Sequence, residues 1–184
     1  MQRIEFYSSD YSAAGETWHY SWKYYLVPGV ASSVSTPIFL PNARHDNLNP
    51  LFAPPQDHFF HLSQLLSREF SNPVYALDLY ESTVAIEDLY DTSRCSSGIC
   101  KSISQESFWG RTTYHSVTVT FGDYGSYAYT VTDASTGGIL LSYSTSGVTV
   151  PASASLKTGI YRAVVDGATS ATAYVGDLSF VKTA

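Results

Sequence analysis

Residues 17–27 constrain this chain more than any other stretch. Trp18, Tyr20, Trp22, Tyr24 and Leu26 occupy every second position, and Thr17, His19, Ser21, Lys23 and Tyr25 fall between them. Side chains along an extended strand point alternately to opposite faces, so this spacing makes a strand with an aromatic face and a polar reverse. Rings of that size need a second layer to bury them, which commits the chain to packed sheets. The same alternation recurs at 2–7, 74–80, 83–90, 112–121, 126–132, 139–144, 155–165 and 172–181. Turn sequences such as Gly122-Asp123, Thr136-Gly137-Gly138 and Asp166-Gly167 separate these runs. The 15 tyrosines and the abundant Ser, Thr and Val suit strands. The expectation is an all-β protein, a β-sandwich or jelly roll, formed by a single domain over residues 1–184.

Two stretches depart from this pattern. Residues 28–58 hold six of the eight prolines and read as a long irregular insertion around a short strand at 35–40. His45, Asp46 and His58 lie there at irregular spacing and read as solvated loop residues. In 59–68, Phe59, Leu62 and Leu66 have helical spacing behind a capping Asp57, so periodicity favours an amphipathic helix. As a strand the same residues would put Phe60, Leu62, Gln64, Leu66 and Arg68 on one face.

A formal charge of −6 excludes a nucleic-acid partner, because phosphate binding needs a basic face. It opposes a polyanionic sugar only at long range, since salt screens charge over about 8 Å; a local basic groove would suffice. No apolar run approaches a membrane span, and the opening residues lack a signal-peptide pattern. The expectation is a secreted protein whose signal peptide has been removed, with no membrane partner. Cys95 and Cys100 bracket the turn-like Ser-Ser-Gly-Ile. A disulfide between them fits secretion, and two free thiols stay open as the alternative.

In 155–165, Leu156, Ile160 and Val164 share one face, and Lys157, Gly159, Tyr161 and Ala163 share the other. The glycine between lysine and tyrosine leaves room for close approach to the backbone. Ala76-Leu77-Asp78-Leu79-Tyr80-Glu81 resembles the catalytic strand of family 16 glycoside hydrolases, with Ala76 where the nucleophile stands. Retaining hydrolysis needs two carboxyls about 5 Å apart, so a hairpin strand with a charged turn is the better reading.

A second resemblance covers more of the chain. Arg3-Ile4-Glu5-Phe6, Gly15-Glu16-Thr17-Trp18-His19-Tyr20-Ser21-Trp22, His61-Leu62-Ser63-Gln64 and Ser155-Leu156-Lys157-Thr158-Gly159-Ile160-Tyr161-Arg162 follow one another in an order that resembles the jelly-roll polysaccharide lyases. The nearest likeness is to the fungal glucuronan lyases of polysaccharide lyase family 20, with the related alginate lyases beside them. The Arg-x-Glu and Lys-x-Gly-x-Tyr patterns match, whereas Leu66 stands where a Gln-x-His pattern would put histidine. The resemblance implies a concanavalin A-like jelly roll with a concave carbohydrate-binding sheet, and makes 59–68 a strand.

It also implies β-elimination on a glucuronic-acid-rich polymer. Such an enzyme must neutralise the uronate carboxylate, remove the C5 proton and protonate the leaving oxygen. By resemblance Tyr161 is the acid/base, His19 its partner, and Gln64 the donor to the carboxylate, with Arg3, Lys157, Lys23 and Arg68 binding substrate. A tyrosine ordinarily titrates at about pH 10, so Tyr161 would act as base only beside a cation such as Lys157. Asp177, in the last strand, is the expected ligand of a structural calcium ion; no other cofactor is required. The expected partner is an acidic polysaccharide, bound by a monomer. The alternative is a lectin-like jelly roll that uses the same cleft without chemistry. His61 and His115 read as structural.

Overall fold

The computed structural model describes residues 1–29, 59–70, 72–80, 82–164 and 169–184. The insertion expected at 28–58, apart from its first two residues, lies outside the described residues, as do Asp57, Glu81 and Asp166-Gly167. Among the described residues eleven strands follow one another: β1 (Gln2–Tyr7), β2 (Thr17–Leu26), β3 (Phe60–Ser67), β4 (Pro73–Leu79), β5 (Thr83–Asp88), β6 (Ile99–Ser104), β7 (Thr112–Thr120), β8 (Gly122–Asp133), β9 (Ile139–Val150), β10 (Ala154–Arg162) and β11 (Ala173–Lys182). They form two antiparallel sheets, a six-stranded one in the order β1-β10-β3-β4-β5-β6 and a five-stranded one in the order β11-β2-β7-β8-β9. This is the expected jelly-roll β-sandwich. Among the described residues no helix is long and apolar enough to cross a membrane.

Strand β2 lies where its alternation puts it. Trp18, Tyr20, Trp22, Tyr24 and Leu26 are all buried in the core between the sheets. Trp22 stacks on His115 of β7 with ring centres 4.9 Å apart, and Tyr75 of β4 stacks face to face on Tyr127 of β8 at 3.7 Å. A polar thread crosses this apolar layer. Ser63 Oγ lies 3.1 Å from the Tyr129 hydroxyl, which lies 2.8 Å from His115 Nδ1, while His115 Nε2 meets Thr113 Oγ1 at 2.8 Å. Each buried polar atom in the thread therefore has a partner, as burial demands. Burial also pushes the His115 pKa down to about 3, so the ring is neutral and structural, as its sequence position implied.

Strand β6 carries little apolar alternation and was not marked by the pattern. It is an edge strand, introduced by a tight turn that the Cys95–Cys100 disulfide closes over a Cα–Cα distance of 4.7 Å.

The helix favoured at 59–68 gives way to strand β3. His61 pairs with Tyr161 and Asp78, yet two residues later Ser63 pairs with Thr158 and Leu77. Two steps on β3 thus match three on β10 and one on β4. This irregularity turns both Leu62 and Ser63 inward, so the core positions run Phe60, Leu62, Leu65, and of the helically spaced Phe59, Leu62 and Leu66 only Leu62 is among them. The extra residue on β10 includes Gly159, at φ +144°, a conformation that favours glycine. A Cβ there would collide with the Ile4 carbonyl and come within 2.9 Å of Glu5 Cα. The close approach expected at Gly159 is therefore that of β1. Substituting Gly159→Ala should cost about 3 kcal/mol or more in urea unfolding; wild-type stability would mean that β1 retreats freely.

Candidate functional site

The outer face of the six-stranded sheet gathers polar side chains from five adjacent strands. Arg3 and Glu5 come from β1, Lys157 and Tyr161 from β10, His61 and Gln64 from β3, Asp78 from β4 and Glu87 from β5. The β3 irregularity makes this possible, because His61 and Gln64, three residues apart, would otherwise face opposite ways.

At the β1 end, Arg3 lies opposite Tyr161, and its guanidinium carbon is 4.8 Å from the tyrosine ring centre. Glu5 orients two neighbours at once: Arg3 Nε donates to its Oε2 at 2.7 Å and Gln64 Nε2 to its Oε1 at 2.6 Å. Lys157 pairs across the sheet with Gln64 on one side and Tyr7 on the other. Its pKa is lowered by partial burial, with the Arg3 charge adding to the effect. Phe59 packs against both His61 and Tyr161, with ring centres 5.0 and 4.6 Å away, and the His61 and Tyr161 rings are 5.9 Å apart.

The β5 end is buried and acidic. His61 Nδ1 meets Asp78 Oδ1 at 2.5 Å, Glu87 is the diagonal neighbour of Asp78 across the β4–β5 pairing, and the Tyr80 hydroxyl donates to Glu87. His61, Asp78 and Glu87 are each less than one-tenth exposed. Burial alone would depress the His61 pKa, but the charge and hydrogen bond of Asp78, with the Glu5 charge, outweigh it and raise the value above normal. Burial and the Asp78 charge push Glu87 up to about 8.

Of the expected site residues, the fold brings Tyr161, Gln64, Arg3 and Lys157 together and leaves the others apart. His19 lies on β2 in the other sheet, where Trp18 and Tyr20 enter the core and His19 turns outward to Thr118, its Nδ1 3.1 Å from the hydroxyl. It therefore faces away from Gln64 and Tyr161, and His61, read as structural, is the histidine beside them. Lys23 is on the same outer face as His19, ion-paired with Asp177 at 2.8 Å. Among the described residues no group of three or more His, Cys, Asp or Glu side chains could hold a metal ion. Arg68, just beyond the far end of β3, stacks on Tyr11, its guanidinium carbon 3.4 Å from the ring centre. Glu5 was within reach of sequence reasoning through the Arg-x-Glu spacing. Asp78 and Glu87 were not, because only strand pairing sets them beside His61.

Comparisons with solved structures agree with this architecture. The chain superposes on an alginate lyase from Corynebacterium sp. with a TM-score of 0.55 at 10% identity, covering 94% of this chain and 61% of that one. An endo-β-1,4-glucuronan lyase from the fungus Trichoderma reesei gives 0.53 at 11% identity, covering 92% and 70%. A marine PL7 alginate lyase from Zobellia galactanivorans gives 0.52 at 12%, covering 94% and 64%. The fold is the jelly roll of these lyases. Identities this low establish the architecture alone, and the chain spans 61% of the length of the first of these enzymes. No protein-family model and no curated protein sequence matches it.

The shifted groups give stability a pH signature. Glu87 binds its proton more tightly folded than unfolded, so its contribution is complete below its ordinary pKa of 4.5 and is lost as pH rises through about 8. His61, also raised, has the same sign. His115 is depressed, so its contribution is complete above 6.5 and is lost as pH falls toward about 3. The melting temperature should therefore decline from pH 6.5 to 8 as well as in acid. Glu87→Gln should flatten the alkaline decline and leave the acid one; unchanged slopes would assign the alkaline loss elsewhere.

Proposed function

We propose that the chain is a polysaccharide lyase that cleaves a uronic-acid-rich polymer by β-elimination, with a glucuronan as the first substrate to test. On this reading it acts outside the cell as a monomer. The observation that carries the proposal is the convergence of Arg3, Gln64, His61 and Tyr161 on one sheet face, in a fold shared with alginate and glucuronan lyases.

The chemistry follows from what elimination requires. The C5 proton of a uronate is weakly acidic until its carboxylate is neutralised. Arg3, the free amide hydrogen of Gln64 and protonated His61 supply donors of the right charge, held in place by Glu5 and Asp78. The Tyr161 oxygen takes the C5 proton as its own hydroxyl hydrogen passes toward O4, and electrons from the C5–H bond form the C4=C5 double bond. The C4–O4 bond breaks and O4 leaves with a proton from the same tyrosine. Arg3 above the ring offsets the charge that Tyr161 acquires during the transfer.

The test is absorbance of the unsaturated product after incubation with glucuronan, alginate and other polyuronates. Tyr161→Phe should reduce turnover by at least ~10²-fold with binding largely retained, as loss of a general acid/base does. His61→Ala should lose comparable activity and His19→Ala very little. The reverse ranking of the two histidines would return the partner role to β2. Folded protein that leaves the whole panel intact would overturn the lyase reading, and glycan binding without cleavage would favour the lectin-like alternative.

A further inference from the structure

We propose that Asp78 and Glu87 are positioning residues that share one proton and thereby hold His61 as a cation facing the substrate carboxylate. This rests on the lyase reading for the identity of what His61 faces, and on geometry for the rest.

The three groups form a line across β3, β4 and β5. Asp78 accepts from His61 Nδ1 at 2.5 Å, and Glu87, its diagonal neighbour across the β4–β5 pairing, accepts from the Tyr80 hydroxyl. Two carboxylates buried side by side on one sheet face repel each other when both are ionised, so the pair holds one proton. Glu87 is the member that keeps it: it is buried and bonded to a neutral hydroxyl, whereas Asp78 is bonded to His61. Asp78 then bears the negative charge and His61 the matching positive one, which makes the buried row neutral overall.

The remaining ionisable groups around His61 fit this assignment. Arg3 and Glu5 face it from β1, Lys157 and Tyr161 from β10, and Asp78 and Tyr80 from β4 and its end, with Glu87 behind on β5. Glu5 is already engaged by Arg3 and Gln64, so Asp78 is the carboxylate that fixes the imidazole. With Nδ1 held, Nε2 is the nitrogen free to meet a ligand. Ionisation of Glu87 would add a second negative charge to this row, beside a site meant for a polyanion. The proton on Glu87 therefore keeps that end of the site compatible with its substrate.

The experiment is an NMR titration of the His61 ring in substrate-free protein, with the His19 and His115 signals as internal references. In wild type, His61 should titrate in two coupled steps as Glu87 ionises. Glu87→Gln should reduce this to one step at lower pH. Asp78→Asn should weaken proton binding at His61 at least tenfold. Glu87→Gln preserves shape and hydrogen-bonding capacity, so it tests the proposal even where Asp78→Asn fails to fold. A His61 curve in Glu87→Gln identical to wild type would overturn the shared proton. If no polyuronate is cleaved but His61 responds as described, the positioning stands and the lyase reading falls. If polymer is cleaved and His61 does not respond, the reverse holds.

Discussion

The backbone contact between Gly159 and the Ile4–Glu5 segment is the constraint on which the rest of the structure depends. Gly159 has a conformation and a clearance that a side chain would deny. Its carbonyl accepts a hydrogen bond from Tyr24 at 2.8 Å, so the bulge is tied across the core to the opposite sheet. On one side it lets β1 lie in register against β10, which brings Arg3 opposite Tyr161. On the other it offsets β10 against β3, which places His61 beside that tyrosine. A regular strand at this position would leave two of the four converging residues pointing elsewhere.

What could be read from the sequence follows from where strands are regular. The face of β2 was legible because no irregularity interrupts its alternation from Trp18 to Leu26. Lys157 and Tyr161 were legible as neighbours on one face, and Leu156 and Ile160 as core, because β10 keeps its alternation against β1 although its register shifts against β3. At 59–68 alternation fails within the strand, so a local period misstated both the element and the facing of His61. The assignment of His19 failed differently. Its polar face was correctly separated from the aromatic one, but nothing within a strand says which sheet it joins. Sheets in a sandwich lie about 10 Å apart, and their outer faces look in opposite directions. Sheet membership is a long-range property, and it sets His19 and Lys23 of β2 on the outer face of the other sheet, away from Gln64 and Tyr161.

Net charge describes the local charge of this face poorly for a related reason. The chain carries a formal charge of −6, yet the accessible end of the polar row is cationic, with half-exposed Arg3 and part-buried Lys157. The carboxylates of the same row are covered: Glu5 is hydrogen-bonded twice, and Asp78 and Glu87 are buried at its far end, beyond His61. A polymer with one carboxylate per sugar senses this local arrangement once it is within a screening length, about 8 Å in physiological salt. The overall charge acts mainly on the approach.

The buried pair also separates two chemistries that a carbohydrate-processing β-sandwich can perform. Glycoside hydrolysis places a sugar ring between two carboxyls, about 5 Å apart when the configuration is retained and farther when it is inverted. Asp78 and Glu87 are both buried, Asp78 engaged by His61 and Glu87 by Tyr80, so neither is presented to a sugar ring in the way hydrolysis needs. Elimination makes no such demand. It needs a carboxylate-binding group and one residue that can move a proton between carbon and oxygen, and it needs its own acids kept away from the substrate charge. On the proposed lyase reading, the row from Arg3 to Glu87 meets those conditions in order: donors where the sheet is accessible, a histidine in the middle, and the acidic pair beyond it, placed to act on the histidine and not on the sugar.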